Sequence, residues 1–284
     1  MFAPPVPPPP ERAAELRRAF AEEARGERPD LTSLCLLVAA CADGSLDQAG
    51  MDAAQMELDR LAGELPYQPG TPLAWAEAVG ELLGGRHGFH GLPADYQRLD
   101  SSLLHSVLRR RRGLPILLSV VWLEVARRAG GPVYGVALPG HFVVGFGRPG
   151  ERVLADPFDS GRILVGEDAR MLVAGATGAP LDSDIQEAAR TDEVVLRILN
   201  NIRAWAAARP EHSEVALWAL ELSLLLPSHP AKLRQERAEL LVQRGDYLSG
   251  AAEYEAYAEV VAVVDEAAAE RLRGQARAAR AMLN

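Results

Sequence analysis

Apolar residues recur at helical spacing through the first third of the chain. Residues 11–25 carry Ala14, Leu16 and Phe20 on one stripe and charge elsewhere, which predicts a surface helix. Residues 31–42 are apolar almost all round, through Leu34, Cys35, Leu36, Leu37 and Val38. That pattern predicts a central helix, capped by Asp30. A helix over 47–65 offers Met51, Met56, Leu58 and Leu61 to a core, and one over 73–83 offers Trp75 and Val79. A Gly-rich loop over 84–91 follows. Asp100 or Ser101 then reads as the cap of a helix ending near Arg112, with Ser102 at the same helix start and Leu103, Val107 and Leu108 inward. Residues 115–129 place Ile116, Val120, Leu123 and Ala126 on a helical stripe, and Pro115 suits the first helical position, where its missing N–H costs nothing.

The period then shortens. Residues 133–146 and 152–155 read as strands from their β-branched content and alternation, with Gly147-Arg148-Pro149-Gly150 as the turn between them. Ile163-Leu164-Val165 reads as a third strand. From Asp192 onward the pattern is helical throughout, in segments 191–208, 211–226, 230–243, 247–261 and 265–283. Val215-Ala216-Leu217 and Gly250-Ala251-Ala252 lie 35 residues apart, close to the period of a helix–turn–helix repeat, and Arg244-Gly245-Asp246-Tyr247 suits the turn of such a unit.

Composition narrows the function classes. The 284 residues are 48% hydrophobic and 24% charged, the profile of a globular chain with a full core. The formal net charge of −9 argues against nucleic acid or an anionic membrane as partner, because there is no basic excess to meet phosphates. The run Arg109-Arg110-Arg111-Arg112 reads as a solvated helix end, with a local anion site as the alternative. The two cysteines, Cys35 and Cys41, share one helix but point to different faces, so they should stay unbridged, which suits a reducing, cytoplasmic setting. No apolar stretch reaches the roughly 18 residues of a membrane span. The proline run through Pro10 reads as a disordered arm over 1–10. His87 and His90 lie in a Gly loop without a third ligand, so neither a metal nor a cofactor is expected.

The chemistry concentrates between Arg112 and Phe158. A helix start, then a strand with His141, then a strand ending in Asp156 are, in that order, the parts of a thiol-acyl-transferase site. The thiolate of such a site belongs at the helix start, where backbone N–H groups and the helix dipole favour negative charge. Residues 113–130 contain no Cys, so the attacking group is missing.

The segments Ser101-Ser102-Leu103-Leu104-His105-Ser106-Val107-Leu108, Arg112-Gly113-Leu114-Pro115-Ile116, Val125-Ala126-Arg127-Arg128, Leu138-Pro139-Gly140-His141-Phe142, Asp156-Pro157-Phe158 and Leu196-Arg197-Ile198-Leu199-Asn200-Asn201 together resemble the SirB-type family. The resemblance runs from about Leu31 to about Val260. It implies an α+β fold: a papain- or transglutaminase-like core of helices and a small antiparallel sheet over 11–189, then an all-helical, tetratricopeptide-like part over 190–284. In catalytic relatives of that core a Gly-x-Cys opens the central helix. Gly113-Leu114-Pro115 matches that place, so the resemblance puts Pro115 where the Cys would be, with His141 and Asp156 matching the His and the Asp. The family is bacterial, and its name ties it to regulation of invasion genes.

Two functions follow as expectations. The first is a non-catalytic, regulatory binding module, with a protein or peptide partner in the core groove or on the repeat face. The second is a hydrolase or acyl transferase that uses His141 and Asp156 with a substitute nucleophile, Ser119 or Ser102. Ser119 lies one helical turn beyond Pro115 on about the same face. The sequence sets no oligomeric state.

Overall fold

The computed structural model describes residues 5–66, 70–148, 151–178 and 188–283. The chain divides into two compact units, one to Ile198 and one from Leu199.

In the first unit, helices α1 (Pro10–Ala24), α2 (Leu31–Ala42), α3 (Gln48–Gly63), α4 (Pro72–Gly80) and α5 (Leu104–Arg110) lead to α6 (Pro115–Arg128). Strands β1 (Val133–Leu138), β2 (His141–Phe146), β3 (Val153–Asp156) and β4 (Arg162–Leu164) follow, then α7 (Asp168–Thr177). The strands form an antiparallel sheet in sequence order, so each neighbour in the chain is a neighbour in the sheet. The fold is therefore α+β, with α6 at its centre. Every residue of α6 from Pro115 to Ala126 is buried, not only the stripe the spacing predicted, because the helix packs against the sheet as well as against α3 and α5.

In α2, Asp30 caps the first turn by accepting from the Ser33 N–H, as the sequence suggested. Both cysteines are buried and unbridged. Burial pushes the Cys35 thiol far above its ordinary pKa, and the nearby carboxylates of Glu124 and Asp30 add to the shift.

Several expectations need correction. Residues 133–146 are two strands, because Pro139-Gly140 forms a hairpin turn with Gly140 at φ 70°. Among the described residues the sheet thus has four strands where three were expected. Residues 149 and 150 of the Gly147–Gly150 turn lie outside the described residues. In α3, Leu58 and Leu61 are buried as expected, but Met56 is exposed and Met51 half-buried, and Ala54 joins the buried face. Neither Asp100, Ser101 nor Ser102 caps α5: they form a 3-10 turn with Leu99, and the helix starts after Leu103 without a side-chain cap. The expected loop at 84–91 begins as a π-helical turn over Glu81–Arg86. Gly84 permits it, since a Cβ there would fall 1.9 Å from the Ser160 carbonyl oxygen. The proline arm is ordered where it is described: Val6 C=O accepts from the Gly44 N–H at 2.8 Å, Pro8 is buried, and Pro10 opens α1. Residues 1–4 lie outside the described residues.

Helix α8 (Thr191–Ala207) carries the chain into the second unit, which is all helix: α9 (Ser213–Leu225), α10 (Leu233–Gln243), α11 (Tyr247–Ala262) and α12 (Glu266–Ala281). The Arg244–Tyr247 turn works as its sequence implied. Gly245 takes φ 85°, and Asp246 caps α11 by accepting from Ser249 N–H. Gly250 lets α11 approach α10 closely, because a Cβ there would lie 2.6 Å from Val242. Small residues (Ala238, Ala251, Ala258, Ala269, Ala276) make up most of the core between α10, α11 and α12, with Tyr254 and Leu272 filling it.

Candidate functional site

The sheet brings together the two residues that the spacing singled out. The β2–β3 register sets Val144 opposite Ala155, so His141 and Asp156 fall on the same face at one end of the strand pair. His141 Nε2 lies 3.0 Å from Asp156 Oδ1, and both side chains are buried. The same oxygen accepts from Phe158 N–H at 3.0 Å, which fixes the carboxylate at the start of the 3-10 turn Pro157–Asp159. Asp156 therefore orients the imidazole through Nε2 and leaves Nδ1 as its second polar position. The Phe158 ring stands edge-on to His141 with centroids 6.0 Å apart.

A cavity of about 680 Å³ opens beside this pair, lined by Gly91, His141, Asp156, Phe158, Met171 and Ala176 among others. Helix α7 forms one wall. Its Ala- and Gly-rich sequence gave no strong helical signal, so the sequence did not reveal that wall. Asp159 and Asp168 sit at the rim and both bond Arg162. Gly91 holds the opposite side close: its N–H donates to the Phe158 carbonyl at 2.9 Å, and a Cβ on it would fall 1.9 Å from the Phe158 ring. Gly91→Ala should consequently cost about 1–3 kcal/mol by overpacking. A thermal melt with wild-type behaviour would show that the ring can yield freely.

The other candidates stand elsewhere. Pro115 is buried at the first position of α6, whose start has no side-chain cap. Ser119 is fully buried, and its hydroxyl donates to the Phe142 carbonyl at 3.2 Å. That bond sets α6 one turn past its start beside the residue that follows His141. Ser102 is buried in the 3-10 turn before α5. Among the described residues neither serine hydroxyl bonds His141, whose side-chain partner is Asp156. His87 bonds Glu64 and His90 bonds the Gly88 carbonyl, so the two histidines serve separate local contacts.

The basic run is not a solvated helix end. Arg110 and Arg112 both bond Asp95, a carboxylate with no exposed surface, and Arg111 bonds Glu57 while lying over the Phe89 ring. Asp95 also accepts from Leu92 N–H and Ser101 Oγ. It therefore ties the loop carrying Gly91 and Tyr96 to the turn that precedes α6. Sequence reasoning missed Asp95 because its cations come 15 and 17 residues later, on another element.

A central helix on an antiparallel sheet, with a His–Asp pair on neighbouring strands, defines the class as a transglutaminase-like core. Comparison with known proteins agrees. A model described as "Transglutaminase-like superfamily" matches residues 52–200, and one described as "Tetratricopeptide repeat" matches 202–284. A UPF0162 protein of Xylella fastidiosa (strain 9a5c) is 33% identical over 227 residues, 78% of this chain and 80% of that protein. A UPF0162 protein of Haemophilus influenzae is 25% identical over 180 residues, covering 63% of this chain and 67% of the relative. F-box only protein 21 of Mus musculus is 35% identical over 83 residues, which is 29% of this chain and 13% of that protein. Among solved structures, menin superposes with a TM-score of 0.45 at 14% identity, covering 98% of this chain and 69% of menin. The chain belongs to the transglutaminase-like superfamily and, within it, to the SirB-type family of UPF0162 proteins.

Among the described residues no helix is long and apolar enough to cross a membrane.

Proposed function

We propose that this protein is a non-catalytic binding module of the cytoplasm, in which the acyl-transferase groove is kept and the attacking group is gone. The observation that carries this reading is the start of α6. Pro115 occupies the first helical position and is buried there, and the next polar side chain on that face, Ser119, spends its proton on a backbone carbonyl. Proline has no atom that can attack a carbonyl, and a serine needs a base within hydrogen-bond reach to do so. In this reading His141 and Asp156 hold the end of the sheet together and shape the groove, which takes a peptide or small ligand. The domain 11–189 supplies that groove. The helical domain 190–284 supplies a protein-binding face, the common use of such repeats.

Turnover tests the proposal. Wild type and His141→Ala should hydrolyse an activated ester such as p-nitrophenyl acetate at the same background rate. Neither should join a primary amine to a glutaminyl peptide. Turnover that disappears with His141→Ala would favour a substitute nucleophile. Ser119→Ala and Ser102→Ala would then show which serine supplies it.

A further inference from the structure

Beside this site, one cation pairs with no carboxylate among the described residues. Arg197, on α8 within the first unit, donates through Nη2 to the carbonyls of Leu138 at 2.7 Å and His141 at 2.6 Å. Those two bonds clip the β1–β2 turn and hold the guanidinium rigidly beside the residue that bears the imidazole. Its carbon lies 5.7 Å from the centre of the Phe142 ring. Among the described residues no carboxylate pairs with it. Other partly buried arginines of the first unit, such as Arg110 and Arg112, do have acidic partners. Burial accordingly presses the Arg197 pKa down, with no carboxylate to offset it.

Tyr96 completes the corner. Its ring packs on Phe158 with centroids 6.2 Å apart, and Phe158 in turn stands against His141. Burial raises the pKa of the Tyr96 phenol, with the Arg197 guanidinium acting against that rise and the Asp156 carboxylate adding to it. Tyr96 is nearly half exposed, which leaves room for a ligand to approach it. The nearby acids do not neutralise Arg197. Asp156 is held by His141 and the Phe158 N–H, and Asp159 and Asp168 are held by Arg162.

We propose that Arg197 and Tyr96 form a carboxylate-binding corner beside His141. Nη2 has spent its hydrogens on the two carbonyls, which leaves Nη1, Nε and the phenol O–H as donors. A planar carboxylate can accept one bond from each, and it supplies a counter-charge for the partly buried guanidinium. The carboxylate has two possible sources, the C-terminus of a peptide and a free organic acid. This inference rests on the reading of the groove as a ligand site, and its test is independent of turnover.

The test uses the full chain labelled with 15N-histidine, with the His141 signal assigned from the His141→Ala spectrum. The probes are N-acetyl-alanyl-alanine, its C-terminal amide, and sodium acetate. The acid should shift the His141 signal saturably, and the amide should bind about tenfold more weakly, the usual loss when a charged hydrogen bond goes. Arg197→Gln should erase that preference, and Tyr96→Phe, at an exposed ring, should reduce it without unfolding the protein. Acetate binding as well as the peptide acid would assign the corner to free acids; weaker acetate binding would assign it to chain termini. Equal binding of acid and amide, no shift with any probe, or an acid preference that survives both variants would overturn the proposal. His141-dependent turnover would instead defeat the non-catalytic reading and leave the acid-over-amide comparison to judge this corner.

Discussion

Asp95→Ala should destabilise the first unit by about 3–5 kcal/mol, the usual cost of stripping one partner from a buried ion pair. The side chain has no exposed surface and accepts from five donors: Leu92 N–H, Ser101 Oγ, Arg110 Nη2, and Arg112 Nε and Nη2. Truncation leaves two cations facing a void and orphans a backbone N–H. The reverse substitutions should cost less. Arg112→Ala removes a side chain that is about a third exposed, and Arg110 continues to pair with the carboxylate. Urea unfolding of the full chain checks this. The loss should appear in the transition of the first unit and leave that of the helical repeat unit in place, because Asp95 belongs wholly to the first. A loss below about 1 kcal/mol would mean the network is a surface feature of the kind that contributes little.

Much of the architecture could be read from the chain, and the misses have physical causes. The central helix was legible because Pro115 marks its first position and Ile116, Val120, Leu123 and Ala126 recur at its period. The His141–Asp156 pair was legible because residue alternation in neighbouring antiparallel strands, with a short turn between, puts both on one face. The hairpin at Pro139-Gly140 was missed because Val136, Ala137 and Leu138 before it and Phe142, Val143 and Val144 after it are alike apolar, and the turn is made by the positive φ of Gly140. Helix α7 was missed because Ala174, Gly175, Ala176 and Thr177 carry little periodicity, although the helix walls the groove. The role of the arginine run could not be read locally. A run of like charges looks solvated until the fold delivers its acids, and Asp95 and Glu57 arrive from distant segments.

Pro115→Cys carries the largest expected change in chemistry. Proline already holds the φ of a first helical residue, so the backbone should accept Cys at a small cost, about 0.5–1 kcal/mol, from the added freedom of the unfolded chain. The new thiol would sit where the N–H groups of the first turn of α6 are uncapped by any side chain. Such N–H groups and the helix dipole lower a thiol pKa, and an imidazole beside it lowers it further. The native thiols have no such helix start: both are buried within α2, past its first turn, and Cys35 is pushed far up by burial. The new thiol should therefore be at least about tenfold more reactive than either at neutral pH.

The rate of iodoacetamide alkylation at pH 7, resolved by site, is the measurement that bears most directly on the account. In Pro115→Cys the engineered thiol should label first, while Cys35 and Cys41 label only as the protein unfolds, and adding His141→Ala should slow the engineered site several-fold. If the engineered thiol is inert in a folded protein, or reacts at the same rate without His141, then Pro115 does not stand at the place of the missing nucleophile.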